Sequence, residues 1–135
     1  MKWVSFDKGS LPSERERLFC ESDIISIHIP LNDETVGYIG THEFAMMRKQ
    51  PYLVNSSRPQ IIDKGALIDA LEQDLIKGLA MDFLNYNANA EWDEDLIKYT
   101  GDKLLLTPHI GGNTSESIAY TAEVVIGKWA GKIRK

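Results

Sequence analysis

Short apolar runs and amphipathic stretches alternate along the chain. Residues 2–6 form a brief extended piece, and residues 13–21, charged but with Leu18 and Phe19 on one side, predict a helix. Ile24-Ile25-Ser26-Ile27-His28-Ile29 is a β-branched run broken at Pro30, read as a buried strand. Thr41 can cap a helix through Phe44, Met46, Met47 and Arg48, stopped by Pro51. Residues 52–55 give the next strand. Asp63 then caps a helix with Ala66, Leu67, Ala70, Leu71 and Leu75 at helical spacing, a unit that Gly78 ends. Residues 79–84 give a further strand, followed by an acidic, Asn-rich loop over residues 85–95 that carries Trp92 and by a helical turn over residues 95–98. The run Leu104-Leu105-Leu106 predicts a buried strand that leaves through Pro108, His109, Gly111 and Gly112. A last helix begins near Thr114, with Ile118, Ala122, Val125 and Trp129 on one stripe. Strands alternating with helices predict an α/β fold with a parallel sheet.

Composition narrows the classes. A chain of 135 residues suits one domain with one core, so residues 1–135 are expected to form a single unit. No apolar run approaches the roughly 20 residues of a membrane span. A formal charge of −5 argues against a nucleic-acid groove or an anionic membrane surface. The single cysteine, Cys20, cannot form an internal disulfide, and Met1-Lys2-Trp3-Val4 lacks the apolar core of a signal peptide. The expected compartment is the cytoplasm. Cys20 reads as a small apolar helix residue, and Lys128, Lys132, Arg134 and Lys135 as complements to the dipole of the last helix.

Candidate chemistry gathers at strand ends. Ser56-Ser57-Arg58 follows the strand at residues 52–55, Asp82 follows residues 79–81, and His109 follows residues 104–106. If these strands are adjacent and parallel, the three groups face one crevice at their carboxyl ends, where open α/β sheets bind ligands. An arginine fork suits a carboxylate, and an imidazole can exchange a proton near neutral pH. A carboxylate can hold a ligand's polar edge. Together they suit oxidation of a hydroxyl beside a carboxylate. Each group also has an ordinary reading: a surface arginine, an aspartate accepting turn bonds, a histidine bonding a loop carbonyl.

The runs Ser22-Asp23-Ile24-Ile25-Ser26-Ile27-His28-Ile29-Pro30-Leu31-Asn32-Asp33-Glu34-Thr35, Val54-Asn55-Ser56-Ser57-Arg58, Gly78-Leu79-Ala80-Met81-Asp82 and Leu105-Leu106-Thr107-Pro108-His109-Ile110-Gly111-Gly112 occur in order across nearly the whole chain. As a set they resemble the D-isomer-specific 2-hydroxyacid dehydrogenases, a family that includes the D-3-phosphoglycerate dehydrogenases. The resemblance implies a partial Rossmann-like parallel sheet flanked by helices, and NAD or NADP as cofactor. It implies that Arg58 binds the substrate carboxylate and that His109 exchanges the hydroxyl proton of a small 2-hydroxy acid. Asp82, Ser56, Ser57 and the loop from His109 through Gly111 and Gly112 would sit by the nicotinamide, with His28, Pro30 and Thr35 near the adenosine side. No metal is required.

Three departures accompany the resemblance. Asn87 stands where the family's glutamate pairs with the histidine; an amide can still orient an imidazole but supplies no charge, and related formate dehydrogenases place Gln there. Glu91 lies in the same loop. Pro59 follows the arginine where glycine is usual, fixing φ and removing an N–H. No G-x-G-x-x-G occurs, and Gly37-x-x-Gly40 lacks the strand-turn-helix context of a phosphate cradle. The first βαβ glycine-loop unit is thus expected to be missing, leaving residues 24–29 as an apolar edge that must be covered by residues 2–6, by a second copy or by another chain. Two classes stay open: an oxidoreductase segment that works with a missing N-terminal half or by self-association, and a non-catalytic dehydrogenase-like module of the corepressor kind. A formate-dehydrogenase-like enzyme is a weaker third.

Overall fold

The computed structural model describes residues 5–7, 9–82, 92–107, 109 and 114–133, with side-chain surroundings described for residues 95–127 of the last two helices and their connection where placed. Four strands, β1 (Ile24–Ile27), β2 (Tyr52–Asn55), β3 (Gly78–Met81) and β4 (Leu104–Leu106), form one parallel sheet in the order β1-β2-β3-β4. Among the described residues five α-helices accompany them: α1 (Pro12–Glu21), α2 (Thr41–Met46), α3 (Lys64–Glu72), α4 (Trp92–Ile97) and α5 (Ser115–Ile133). A short 3-10 turn, Pro59–Ile61, follows β2.

Strand order explains the layering. Each strand joins the sheet beside its predecessor, always advancing in the same direction, and parallel crossovers are right-handed. Successive crossover helices therefore land on the same side. The core lies on that side, where Ile25, Ile27, Leu53, Leu79, Met81 and Leu104 of the strands join Phe19 of α1, Phe44 of α2, Leu67 and Leu71 of α3 and Leu96 of α4 in one buried cluster.

Alternate positions face the other way. Ile24 pairs with Tyr52 and Tyr52 with Gly78, while Ser26, Val54, Ala80 and Leu105 form the next row. Ile24 is 55% exposed, Tyr52 53% and Leu105 64%. The runs expected to be buried strands are thus buried on one face only, and β4 lies at an end of the sheet. Parallel sheets ordinarily have both faces covered.

Local chemistry sets the helix ends. Asp63 caps α3 as expected, its carboxylate accepting from the Ala66 N–H at 2.8 Å. In α2 the cap is Gly40 instead of Thr41: Glu43 reaches back to accept the Gly40 N–H at 2.9 Å, and the helix stops at Met46 before Gln50 turns at φ 51°. Gly78 opens β3 instead of ending the helical unit, because α3 has already stopped at Glu72 and Asp74 turns at φ 56°. A Cβ at Gly78 would meet the Lys103 carbonyl at 3.1 Å and the Tyr52 ring at 3.4 Å, so the strand approach there favours glycine.

Other boundaries shift as well. β1 ends at Ile27, where its ladder with β2 closes on Asn55, so residues 28–29 lie beyond the strand. Residues 5–7 carry no strand, and residues 2–4, the rest of the proposed edge cover, lie outside the described residues. The expected 79–84 strand is described only to Met81 and the bend at Asp82; residues 83–91, including the loop residues Asn87 and Glu91, lie outside the description. The turn expected at residues 95–98 is a longer helix that begins at Trp92. Thr114 starts α5 through its hydroxyl, which accepts the Ser117 N–H at 3.1 Å. Of the apolar stripe read there, Ile118, Ala122 and Val125 are exposed among the described residues.

Candidate active site at the carboxyl edge of the sheet

The ends of β2, β3 and β4 are adjacent and parallel, as the strand-end reading requires. One position past the last paired rungs, a row of polar residues continues the parity of the exposed face: His28, Ser56, Asp82 and Thr107. An open depression of about 110 Å³ lies here, lined by Val54, Ala80 and Leu105 from the exposed face together with Ser56, Asp82 and Thr107.

Asp82 is the centre of this row. Its backbone N–H donates to the Asn55 carbonyl at 3.3 Å, and the Thr107 N–H donates to the Met81 carbonyl at 3.0 Å, so hydrogen bonding continues beyond the regular strands. The Thr107 hydroxyl donates to one carboxylate oxygen of Asp82. The other, Oδ2, lies 3.4 Å from His109 Nδ1, an ion-pair distance at which no hydrogen bond to Nδ1 forms. His109 itself holds a left-handed backbone, φ 54°, a conformation that a non-glycine residue keeps only where its surroundings demand it.

Arg58 sits in the turn after β2. Asn55, buried at the strand end, organises that turn: its amide donates to the Arg58 carbonyl at 3.0 Å, and its side-chain oxygen accepts the Ser57 N–H at 3.0 Å. Arg58 Nη1 donates to the Ser57 carbonyl at 2.8 Å, and the Ser57 hydroxyl donates to the Ile29 carbonyl, joining the ends of β1 and β2. Pro59 fits without loss. Arg58 is extended at φ −140°, ψ 138°, as a residue before proline prefers, and Pro59 takes the first position of the 3-10 turn, where an N–H has no helical partner anyway.

On the β1 side, His28 Nε2 lies 2.8 Å from the Ser26 hydroxyl and Nδ1 3.5 Å from that of Ser56. Pro30 is exposed, and its carbonyl accepts the Thr35 hydroxyl at 2.7 Å. The structure therefore joins His28 to Ser56, Pro30 to Thr35, and Asp82 to both Thr107 and His109. Gly111, Gly112 and Asn87 lie outside the described residues. Asn55 and Thr107 were not among the site residues read from sequence. The signal for Asn55 is its parity with buried Leu53, which places an amide in an apolar row; Thr107 shows only as a hydroxyl within the strand-end run.

Hydroxyls and a carboxylate stand above an apolar floor at the carboxyl edge of the sheet, the edge where open α/β sheets bind ligands. Residues 5–111 match the family model "D-isomer specific 2-hydroxyacid dehydrogenase, NAD binding domain". The chain belongs to that family, whose cofactor is NAD. It is 38% identical over 110 residues to a glyoxylate reductase of Thermococcus litoralis, covering 82% of this chain and 32% of that protein. Against the D-3-phosphoglycerate dehydrogenase of Escherichia coli it is 36% identical over 110 residues, covering 79% of this chain and 26% of the other. The apo structure of D-lactate dehydrogenase from Escherichia coli aligns with a TM-score of 0.73 at 26% identity, covering 99% of this chain and 44% of that one. The chain thus spans about a third or less of the two curated relatives' length.

The donor set fits the nicotinamide end of such a cofactor: a flat ring can lie over Val54, Ala80 and Leu105, with polar groups at its rim. The pyrophosphate cradle has no counterpart in the sequence. Among the described residues no group of His, Cys, Asp and Glu could hold a metal ion, and no helix is long and apolar enough to cross a membrane.

Proposed function

We propose that this chain supplies the proton-transfer and substrate-anchoring edge of an NAD-dependent 2-hydroxyacid dehydrogenase. The observation that carries the reading is His109 beside Asp82 on the edge where β2 also delivers Arg58. Arg58 binds the carboxylate of a small 2-hydroxy acid through its planar fork. His109 takes the hydroxyl proton as the C2–H leaves as hydride, and returns it in the reverse direction. NAD, when bound, accepts that hydride. Ser56, Ser57, Asp82 and Thr107 hold polar edges around the ring, while His28, Pro30 and Thr35 line the side toward the adenosine; Gly111 and Gly112 are assigned to the nicotinamide side with His109.

Activity requires a phosphate-binding segment, either elsewhere in a longer polypeptide or in an associated chain, and the same addition covers the open edge of β1. The compartment we assign is the cytoplasm, on the single cysteine. The exposed sheet face favours a second reading, a non-catalytic dehydrogenase-like module that uses this face for association. NADH fluorescence titration of the 135-residue chain, followed by turnover assays with several 2-hydroxy acids and with formate, separates them. Micromolar binding and 2-hydroxy-acid turnover support the enzyme. Turnover of formate alone identifies the formate-dehydrogenase-like alternative. No binding at millimolar cofactor, alone or with the N-terminal half of a relative, leaves the module.

A further inference from the structure

Asn55 is out of place by chemistry. It is 2% exposed in the core-facing row, between Ile27 and Met81 in register, where an apolar side chain would carry no desolvation cost. Asparagine is also a poor strand former. Both ends of its amide are used on the turn that follows: Oδ1 accepts the Ser57 N–H and Nδ2 donates to the Arg58 carbonyl, each at 3.0 Å. That carbonyl also accepts the Ile61 N–H at 3.2 Å, which fastens Arg58 to the buried Pro59 and Ile61 of the 3-10 turn.

The main chain of Asn55 reaches the other way. Its own carbonyl accepts the Asp82 N–H at 3.3 Å. Arg58 and Asp82 leave different strands, and one buried residue holds the backbone of both. The Arg58 side chain itself is exposed, on a long stem with many rotamers, so the backbone that carries it limits where its fork can reach.

We infer that Asn55 is the positioning residue for Arg58: its amide locks the turn at residues 56–58 and its carbonyl sets that turn against Asp82. An amide is required because the site needs an acceptor for Ser57 and a donor for Arg58 at once. The inference deepens the dehydrogenase reading and rests on it for what Arg58 binds. The lock itself can be read without cofactor or turnover.

The test is amide hydrogen exchange and ¹⁵N relaxation on the full 135-residue chain, with the Tyr52 and Leu79 N–H groups, bonded within the sheet, as controls for folding. The expected result is a protected Ser57 N–H and an ordered Arg58 amide. In Asn55→Ala, exchange at Ser57 rises about tenfold and Arg58 loosens, while the controls hold. Asn55→Asp separates the two bonds. Ionised, the introduced carboxyl still accepts from Ser57 but cannot donate, so Ser57 stays protected and Arg58 loosens. Burial raises its pKa, and lowering the pH supplies the missing donor and restores order at Arg58, a titration that a space-filling role would not produce. An unprotected Ser57 N–H in the unmodified chain overturns the inference even if no variant folds. So does equal Arg58 order in the unmodified chain and folded Asn55→Ala, or an Asn55→Asp that shows no change at Arg58 with pH. Oxalate, titrated into the unmodified chain, is expected to shift the Arg58 Nε–H. No shift with the turn protected counts against the dehydrogenase reading alone.

Discussion

The two faces of the sheet come from the same four strands and differ in almost every other respect. One face is sealed by α1, α2, α3 and α4, with Leu53, Leu79 and Leu104 inside the core. The other presents Ile24, Tyr52 and Leu105 to solvent and runs directly into the row of Ser56, Asp82 and Thr107. Handedness makes the difference: strands added in one direction by right-handed crossovers receive their helices on one side. The buried core therefore lies on one face, and the candidate site lies where the covering is least.

The largest expected effect breaks the sealed face. Leu53→Ala should lower the free energy of unfolding by about 2–5 kcal/mol in urea melts, because it leaves a cavity beneath the sheet. Next comes the polar clasp between α1 and α2. Arg15 Nη2 lies 2.6 Å from Glu43 Oε1, and Arg15 Nε donates to the Tyr38 hydroxyl at 3.1 Å. Removing Glu43, whose side chain is only 9% exposed, leaves the half-buried guanidinium without its carboxylate, so Glu43→Ala should cost about 3 kcal/mol.

The same clasp gives a pH signature. Burial raises the Glu43 pKa, but the Gly40 N–H and the Arg15 guanidinium outweigh it, and the net shift is downward. A carboxyl whose pKa is depressed on folding contributes stability above its unfolded value of about 4.3, and loses it as the pH falls through the lower folded value. Acid titration of stability should therefore flatten over that interval in Glu43→Gln. A smaller effect belongs to Asp63→Ala, which removes the cap of α3 and should cost about 1 kcal/mol. Smallest is Leu105→Ala on the open face, expected within about 0.5 kcal/mol in the same melts. A loss as large as that of Leu53→Ala would erase the distinction between the faces.

Much of this division escapes a reading of the chain alone. Strand β2 and the Asp63 cap were legible because each is a local pattern, a compact β-branched and aromatic run or a single residue before a helical stripe. Leu104-Leu105-Leu106 reads the same whether one face or two will be covered; only the register against Leu79, Ala80 and Met81 reveals that Leu105 points away from the core. The end read at Gly78 and the cap read at Thr41 were both misplaced, because the first depends on the neighbouring strand and the second on Glu43 reaching back to the Gly40 N–H. The site's membership was visible as a resemblance spread over separate strand ends. Its pairing was not: that Asp82 meets Thr107 and His109 depends on β3 and β4 lying side by side.

The unbroken order β1-β2-β3-β4 also bears on how the chain assembles as it is made. Each strand after β1 finds its template already synthesised, so none of these has to wait for a later one before it pairs. The sheet can grow outward from β1 as the polypeptide emerges, and β4, which carries Thr107 into the site, is the last to dock. The constellation around Asp82 is thus completed only after the sealed face beneath it has closed.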